Sequence, residues 1–189
     1  MTAALSICVY CGSRGGARPI YETSATHLGE QIAAKGWRLV YGAGDVGLMG
    51  AVARAAQSAG AQTFGVIPIH LMKQESGKQD LSTFVVTENM HERKKVMFMN
   101  SDVIVVLPGG AGSLDEFFEV LTWKQIGLHD KPIYLLSQDG YWAPLEALID
   151  HVVDEGFAPA STATSFVTVP TVDALIREIE ATVTGDKAR

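Results

Sequence analysis

The segment LPGGAGSLDEFFEV, residues 107–120, places Glu116 three positions after Ser113 and just past a glycine-rich bend. Two roles suit a glutamate there. Ser-x-x-Glu is the spacing of a capping box, in which the two side chains close the first turn of a helix. A carboxylate fixed at that point could instead stabilise charge, or orient water, at a reacting carbon. The faces of the helix help to choose. Leu114, Phe117, Phe118 and Leu121 fall at i, i+3, i+4 and i+7 and read as a core stripe. Glu116, Glu119, Val120 and Trp123 repeat that spacing on the other side. A stripe that begins acidic and ends in Val and Trp reads as a surface covered by a second subunit, its acidic end opening on the glycine bend. The spacing favours chemistry for Glu116, in a dimer whose site lies near the interface.

A second charged cluster sits in TENMHERKKVMFMNSD, residues 87–102. Asn89 and Glu92 fit a capping pair that opens a helix. Arg93, Lys94 and Lys95 then crowd its first two turns, where the helix dipole disfavours cations. A solvated face with a Glu92–Lys95 pair would account for them. Val96, Met97, Phe98 and Met99 follow at once, however, and leave little of the helix free to face water. Arg93 is better read as held near a ligand anion or a carboxylate, either of which suits its planar fork.

Three loops of small residues could receive an anion: YCGSRGG (10–16), YGAGDVGLMG (41–50) and LPGGAGS (107–113). Glycine lets backbone N–H groups approach a phosphate, and the helix that follows adds its positive end. Gly42, Gly44 and Gly47 also spell G-x-G-x-x-G, which raises a dinucleotide site. That fingerprint follows the first strand and wants an acidic residue about 20 positions on. Here it follows the second, and the next strand ends GVIPIHLM, without Asp or Glu. No G-x-x-x-x-G-K-[ST] run is present.

These loops need a frame that brings them to one rim. Strand-like runs at 6–12, 38–44, 62–68, 83–88, 102–109, 132–137 and 166–170 alternate with helical patterns at about 20–36, 46–60, 90–100, 113–127, 142–155 and 171–184. Such alternation predicts an α/β fold with a mostly parallel sheet between helices. Ligands bind at the carboxyl ends of its strands. Residues 70–82, the longest irregular stretch, are a candidate site loop. We expect one domain over 1–184 and a frayed tail at 185–189.

Composition narrows the function classes. The 189 residues are 47% hydrophobic and 19% charged, with a net charge of -6. That disfavours nucleic-acid or membrane-surface partners, which call for a positive field. No apolar run approaches the ~20 residues of a membrane helix. The start lacks a basic leader, so a cytoplasmic protein is expected. Cys8 and Cys11 form C-x-x-C inside a strand, where they face opposite sides and suit neither a redox pair nor zinc. The five histidines are scattered singly, and no metal site or cofactor is expected.

PGGAGSLDE resembles the P-G-G-x-G-T-x-x-E motif of the LOG ("lonely guy") family, the cytokinin riboside 5′-monophosphate phosphoribohydrolases. MHERKKVM is similar to the family's Arg-Lys element, and YGAGDVGLMGAVA to its G-G-G-x-x-G-L-M-G segment. YCGSRGG and TWKQIGLHDKPIYLL also match, so the resemblance runs over about 6–157. It implies a Rossmann-like, three-layer, doubly wound fold, usually as a homodimer. It also implies hydrolysis of the N-glycosidic bond of an N6-modified AMP, or of AMP itself, to free base and ribose 5-phosphate. By position, Arg93 and Glu116 are the catalytic pair. Lys94, Gly110, Ala111, Gly112 and Ser113 match substrate-binding positions, as do Glu75 and Thr122. Gly12, Ser13, Gly42, Gly44, Gly47 and Gly109 from the three loops, with Met90 beside Arg93, complete the candidate substrate-binding set. Two departures are visible. Ala43 replaces a glycine, a modest change if its φ is negative, and Ser113 replaces Thr. A non-catalytic nucleotide carrier or regulator could use the same rim. A lysine decarboxylase would need pyridoxal phosphate on a lysine, and none stands in an aromatic or acidic setting.

Overall fold

A computed structural model describes residues 5–72 and 80–186. Its strands are β1 (Ser6–Tyr10), β2 (Arg38–Tyr41), β3 (Gln62–Pro68), β4 (Thr83–Thr87), β5 (Val103–Val106), β6 (Ile133–Leu136) and β7 (Val167–Val169). Its helices are α1 (Pro19–Ala34), α2 (Gly47–Ser58), α3 (Met90–Met99), α4 (Ala111–Gln125), α5 (Ala143–Asp154) and α6 (Val172–Asp186). All seven strands are parallel, in the order β4-β3-β2-β1-β5-β6-β7. This is a doubly wound, Rossmann-like α/β domain. Every residue of β1, β5 and β6 is buried, which is why those runs are continuously apolar rather than alternating.

The pleat of the strands divides the core in two. Ile7, Val9, Leu39, Tyr41, Val103 and Val105 face the layer of α1, α2 and α6. Cys8, Val40, Ile104 and Val106 face Met97 of α3, Phe117 and Leu121 of α4, and Leu145 and Ile149 of α5. Cys8 and Cys11 fall in opposite layers, as the strand reading expects; both are free, and burial pushes both thiols up. Helices α1 and α2 lie against each other closely. A Cβ on Gly29 would sit 2.4 Å from the Val52 carbonyl oxygen, so only glycine fits there.

The winding reverses beside β1. The chain moves outward from β1 through β2 and β3 to β4, then crosses back to β5 on the other side of β1. The crevice above the carboxyl ends of β1 and β5 is therefore the place where this fold leaves room for a ligand.

Two expectations change, the faces of α4 and the backbone at Ala43. Phe118, expected in the core stripe, is 38% exposed, whereas Val120, assigned to a subunit interface, is fully buried in the protein's own core. Trp123 stacks edge-on against Phe98 of α3, with ring centroids 5.0 Å apart. That acidic-to-apolar stripe thus faces α3 of the same chain. The α6 helix reaches Asp186, and the rest of the expected tail, 187–189, lies outside the described residues. Ala43 has φ +57, in the left-handed region, so the condition under which a methyl there is harmless is not met.

Candidate active site

Backbone hydrogen bonds lace the first and third small-residue loops together. Gly12 N donates to the Pro108 oxygen at 3.0 Å, and Leu107 N to that of Tyr10 at 2.9 Å. The second loop joins them through Leu48 N, which donates to the Gly12 oxygen at 3.1 Å. Gly47, at φ +59, lies so close to the first loop that a Cβ would sit 2.4 Å from the Ser13 carbonyl carbon. Its work is to let α2 begin against that loop.

The three loops rim a cavity of about 550 Å³. Gly12, Ser13, Gly42, Met90, Arg93, Gly109, Gly110, Ala111, Gly112, Ser113 and Glu116 all line it. Gly44, Gly47, Lys94 and Thr122 do not, and Glu75 lies outside the described residues. Arg14, inside the first loop but not singled out, lines it too, as do Tyr21 and Tyr141, to which no motif drew attention. Tyr141 follows β6, far from the glycine loops in sequence, yet its hydroxyl donates to the Gly109 oxygen at 2.6 Å and braces the bend.

Helix α4 opens on this cavity. Its N-cap is Gly110, with no side-chain cap. The N–H groups of Ala111, Gly112 and Ser113 are thus first-turn donors without intrahelical partners, and they add the positive end of the helix dipole. A Cβ on Gly110 or Gly112 would meet nothing within 4 Å. The open space beside these amides is shaped for an anion. Ser113 is the third residue of the helix rather than its cap, so Glu116 lies in the second turn and the capping-box reading fails.

Arg93 reaches the same cavity from α3. Its Nε donates to the Val66 oxygen at 3.1 Å and its Nη2 to the Gly42 oxygen at 2.7 Å. These carbonyls lie near the carboxyl ends of β3 and β2, so the guanidinium is clamped to the sheet's rim, and Arg93 as a whole is 5% exposed. A Cβ on Gly42 would fall 2.0 Å from Nη2. The first glycine of G-x-G-x-x-G therefore makes way for an arginine, which explains the pattern without a dinucleotide. The solvated-face account of this helix holds for Lys95 alone: Arg93 and Lys94 are both buried. Asn89 caps α3, accepting from Glu92 N at 3.0 Å. Lys94 does not line the cavity itself; its Nζ pairs with Asp115 Oδ2, on the cavity wall, at 2.9 Å and with Glu119 Oε1 at 3.1 Å.

Glu116 is half-buried, and that burial pushes its carboxyl from 4.5 up to about 7. The Arg93 and Lys94 charges pull it back down, while Asp115 and Glu119 push it further up. A carboxylate poised near neutrality in a cavity, coupled to a fixed cation, suits proton transfer. Among the described residues no three His, Cys, Asp or Glu are placed to hold a metal, and no lysine lines the cavity.

Comparison with known proteins extends this picture. A family model described as "Possible lysine decarboxylase" matches residues 49–179. The probable cytokinin riboside 5′-monophosphate phosphoribohydrolase LOGL1 of Oryza sativa subsp. japonica is 42% identical, over 92% of this chain and 78% of its own. The cytokinin riboside 5′-monophosphate phosphoribohydrolase LOG5 of Arabidopsis thaliana is 42% identical over 93% and 77%. Among solved structures, the molybdenum cofactor binding protein of Rippkaea orientalis superposes with a TM-score of 0.73 at 22% identity, over 97% of this chain and 99% of its own. The molybdenum cofactor carrier protein of Chlamydomonas reinhardtii gives 0.71 at 24%, over 96% and 99%. Those two share the fold. The sequence likeness reaches further, over 92% or more of the chain and, in the family model, through the Arg93 and Glu116 helices, and by it the chain belongs to the LOG family of phosphoribohydrolases.

Proposed function

We propose that this protein hydrolyses the N-glycosidic bond of adenosine 5′-monophosphate and its N6-modified forms, releasing free base and ribose 5-phosphate. The observation that carries the reading is Glu116, half-buried in the cavity beside both the α4 N-terminus and Arg93. The amides of Ala111, Gly112 and Ser113 take the 5′-phosphate and so fix the distance from phosphate to anomeric carbon. As the bond from that carbon to the base breaks, its electron pair leaves with the base and positive charge builds on the sugar. Ionised Glu116 stabilises that charge and takes a proton from the water that adds to the carbon. The departing base gains a proton from solvent.

Arg93 holds part of the Glu116 population ionised at neutral pH and presents a cation where the base departs. Lys94 acts at one remove, pinning α4 to α3 through Asp115 and Glu119. Methionines 49, 90 and 97 line the same cavity, a flexible apolar surface suited to an N6 substituent.

Decarboxylation through pyridoxal phosphate would need a lysine in this cavity, and among the described residues none lines it. A pure carrier draws support from the fold alone. We also propose a homodimer in a cytoplasmic setting. Met99, Ile126 and Leu128, at the C-terminal ends of α3 and α4, are 68%, 63% and 66% exposed, and a second subunit would cover them. Two free cysteines suit a reducing compartment.

Incubation with AMP and with isopentenyladenosine 5′-monophosphate, followed by chromatography of free base, tests the activity. Glu116→Gln should keep the fold and lose at least ~100-fold in turnover. Absence of base from both substrates would remove the proposal.

A further inference from the structure

A nucleoside monophosphate carries close to two negative charges at neutral pH. It would enter a cavity that already holds Asp115 and Glu116, on a protein of net charge -6. Amides alone offset part of that charge, so the cations of the site decide how firmly the phosphate is held. Among the described residues two positive side chains line the cavity, Arg14 and Arg93. The Arg93 guanidinium is clamped to the Val66 and Gly42 carbonyls. Lys94 is committed to Asp115 and Glu119, outside the lining. Arg14 remains. It is exposed, and among the described residues no hydrogen bond or ion pair engages its guanidinium.

Its backbone, by contrast, is fixed. The Arg14 oxygen lies 3.1 Å from where a Gly12 Cβ would stand, and its nitrogen 2.5 Å from that of Gly47. The N-terminus of α2 thus wedges the loop from below, while Gly12 N ties it to Pro108 at the bend before α4. A rigid base carrying a long, uncommitted cation next to open helix amides is an arrangement for gripping a mobile anion.

We infer that Arg14 is the phosphate clamp of this site. It closes on the 5′-phosphate held by Ala111, Gly112 and Ser113 and makes the enzyme prefer nucleotides to nucleosides. The inference rests on the phosphoribohydrolase reading and names a specificity residue within it. Arg14 belongs to binding; Glu116 carries the chemistry.

The test separates the two ideas. AMP and adenosine are titrated calorimetrically into Glu116→Gln protein, which holds ligand without turnover, and into the same protein with Arg14→Gln or Arg14→Lys added. Arg14→Gln should weaken AMP roughly 10- to 100-fold, the range for charge-assisted hydrogen bonds. The ratio of AMP to adenosine affinity should fall with it, and Arg14→Lys should recover part of the loss. AMP affinity unchanged in Arg14→Gln, or AMP and adenosine weakened equally, overturns the clamp. Wild-type turnover of AMP is followed alongside: if it is absent while the Arg14 effect persists, the hydrolase reading falls and the clamp stands.

Discussion

At the scale of single residues, the site turns on how far one carboxyl is lifted. Glu116 reaches about 7 because desolvation outweighs the pull of Arg93 and Lys94. In the proposed reaction the ionised form accepts water's proton, so the sign follows directly. Acidification through 7 protonates Glu116 and lowers activity, whereas alkalinisation above 7 changes little. We expect kcat/KM for AMP to rise about fivefold between pH 6 and 7 and to level off near 8. Below about 6 the substrate phosphate also protonates and steepens the fall. A rate profile flat from pH 6 to 8 would assign the proton transfer elsewhere. Arg93, Glu116 and the glycine bend were legible in sequence because their spacing carries the pattern. Arg14, though inside the first glycine loop, was not singled out, and Tyr21 of α1 and Tyr141 after β6 reach the cavity through tertiary packing that no local spacing encodes.

Among the elements, strands and helices could be read to within a few residues because each run is either buried on both faces or amphipathic. The misreadings came where tertiary packing chose between local options. In α4, Gly110 took the cap position and left Ser113 inside the helix, since the bend itself turns the chain. Val120 went inward and Phe118 outward because α4 packs on both the sheet and α3, so more than one of its faces is covered. Ala43 shows the same limit at the backbone: its φ of +57 follows from the turn after β2, a fact no side-chain pattern reveals. An L-residue there costs about 1–2 kcal/mol, part of which the unfolded-state freedom of glycine would cancel. Its methyl is also fully buried, and losing it offsets more. Ala43→Gly should therefore raise the melting temperature modestly, by about 1–2 °C, as read by calorimetry; a fall of several degrees would mean that the methyl's packing outweighs the backbone term.

For the whole molecule, net charge and composition turned attention toward a small pocket, and the reversal of winding beside β1 fixed where that pocket opens. Among the described residues no helix is long and apolar enough to cross a membrane. The dimer proposed here no longer rests on the Glu116 stripe, which α3 covers, but on Met99, Ile126 and Leu128. Replacing Met99 and Ile126 together with Glu should shift sedimentation from two chains to one while circular dichroism stays unchanged; a variant still sedimenting as the parent does would move the interface elsewhere. Arg93 carries a last consequence. The side chain proposed to face the reaction also works as a crossbeam between β2 and β3 near their carboxyl ends. Cutting it out would silence the enzyme and loosen its frame in one stroke, so an inert copy meant to trap ligand inside living cells is better made at position 116.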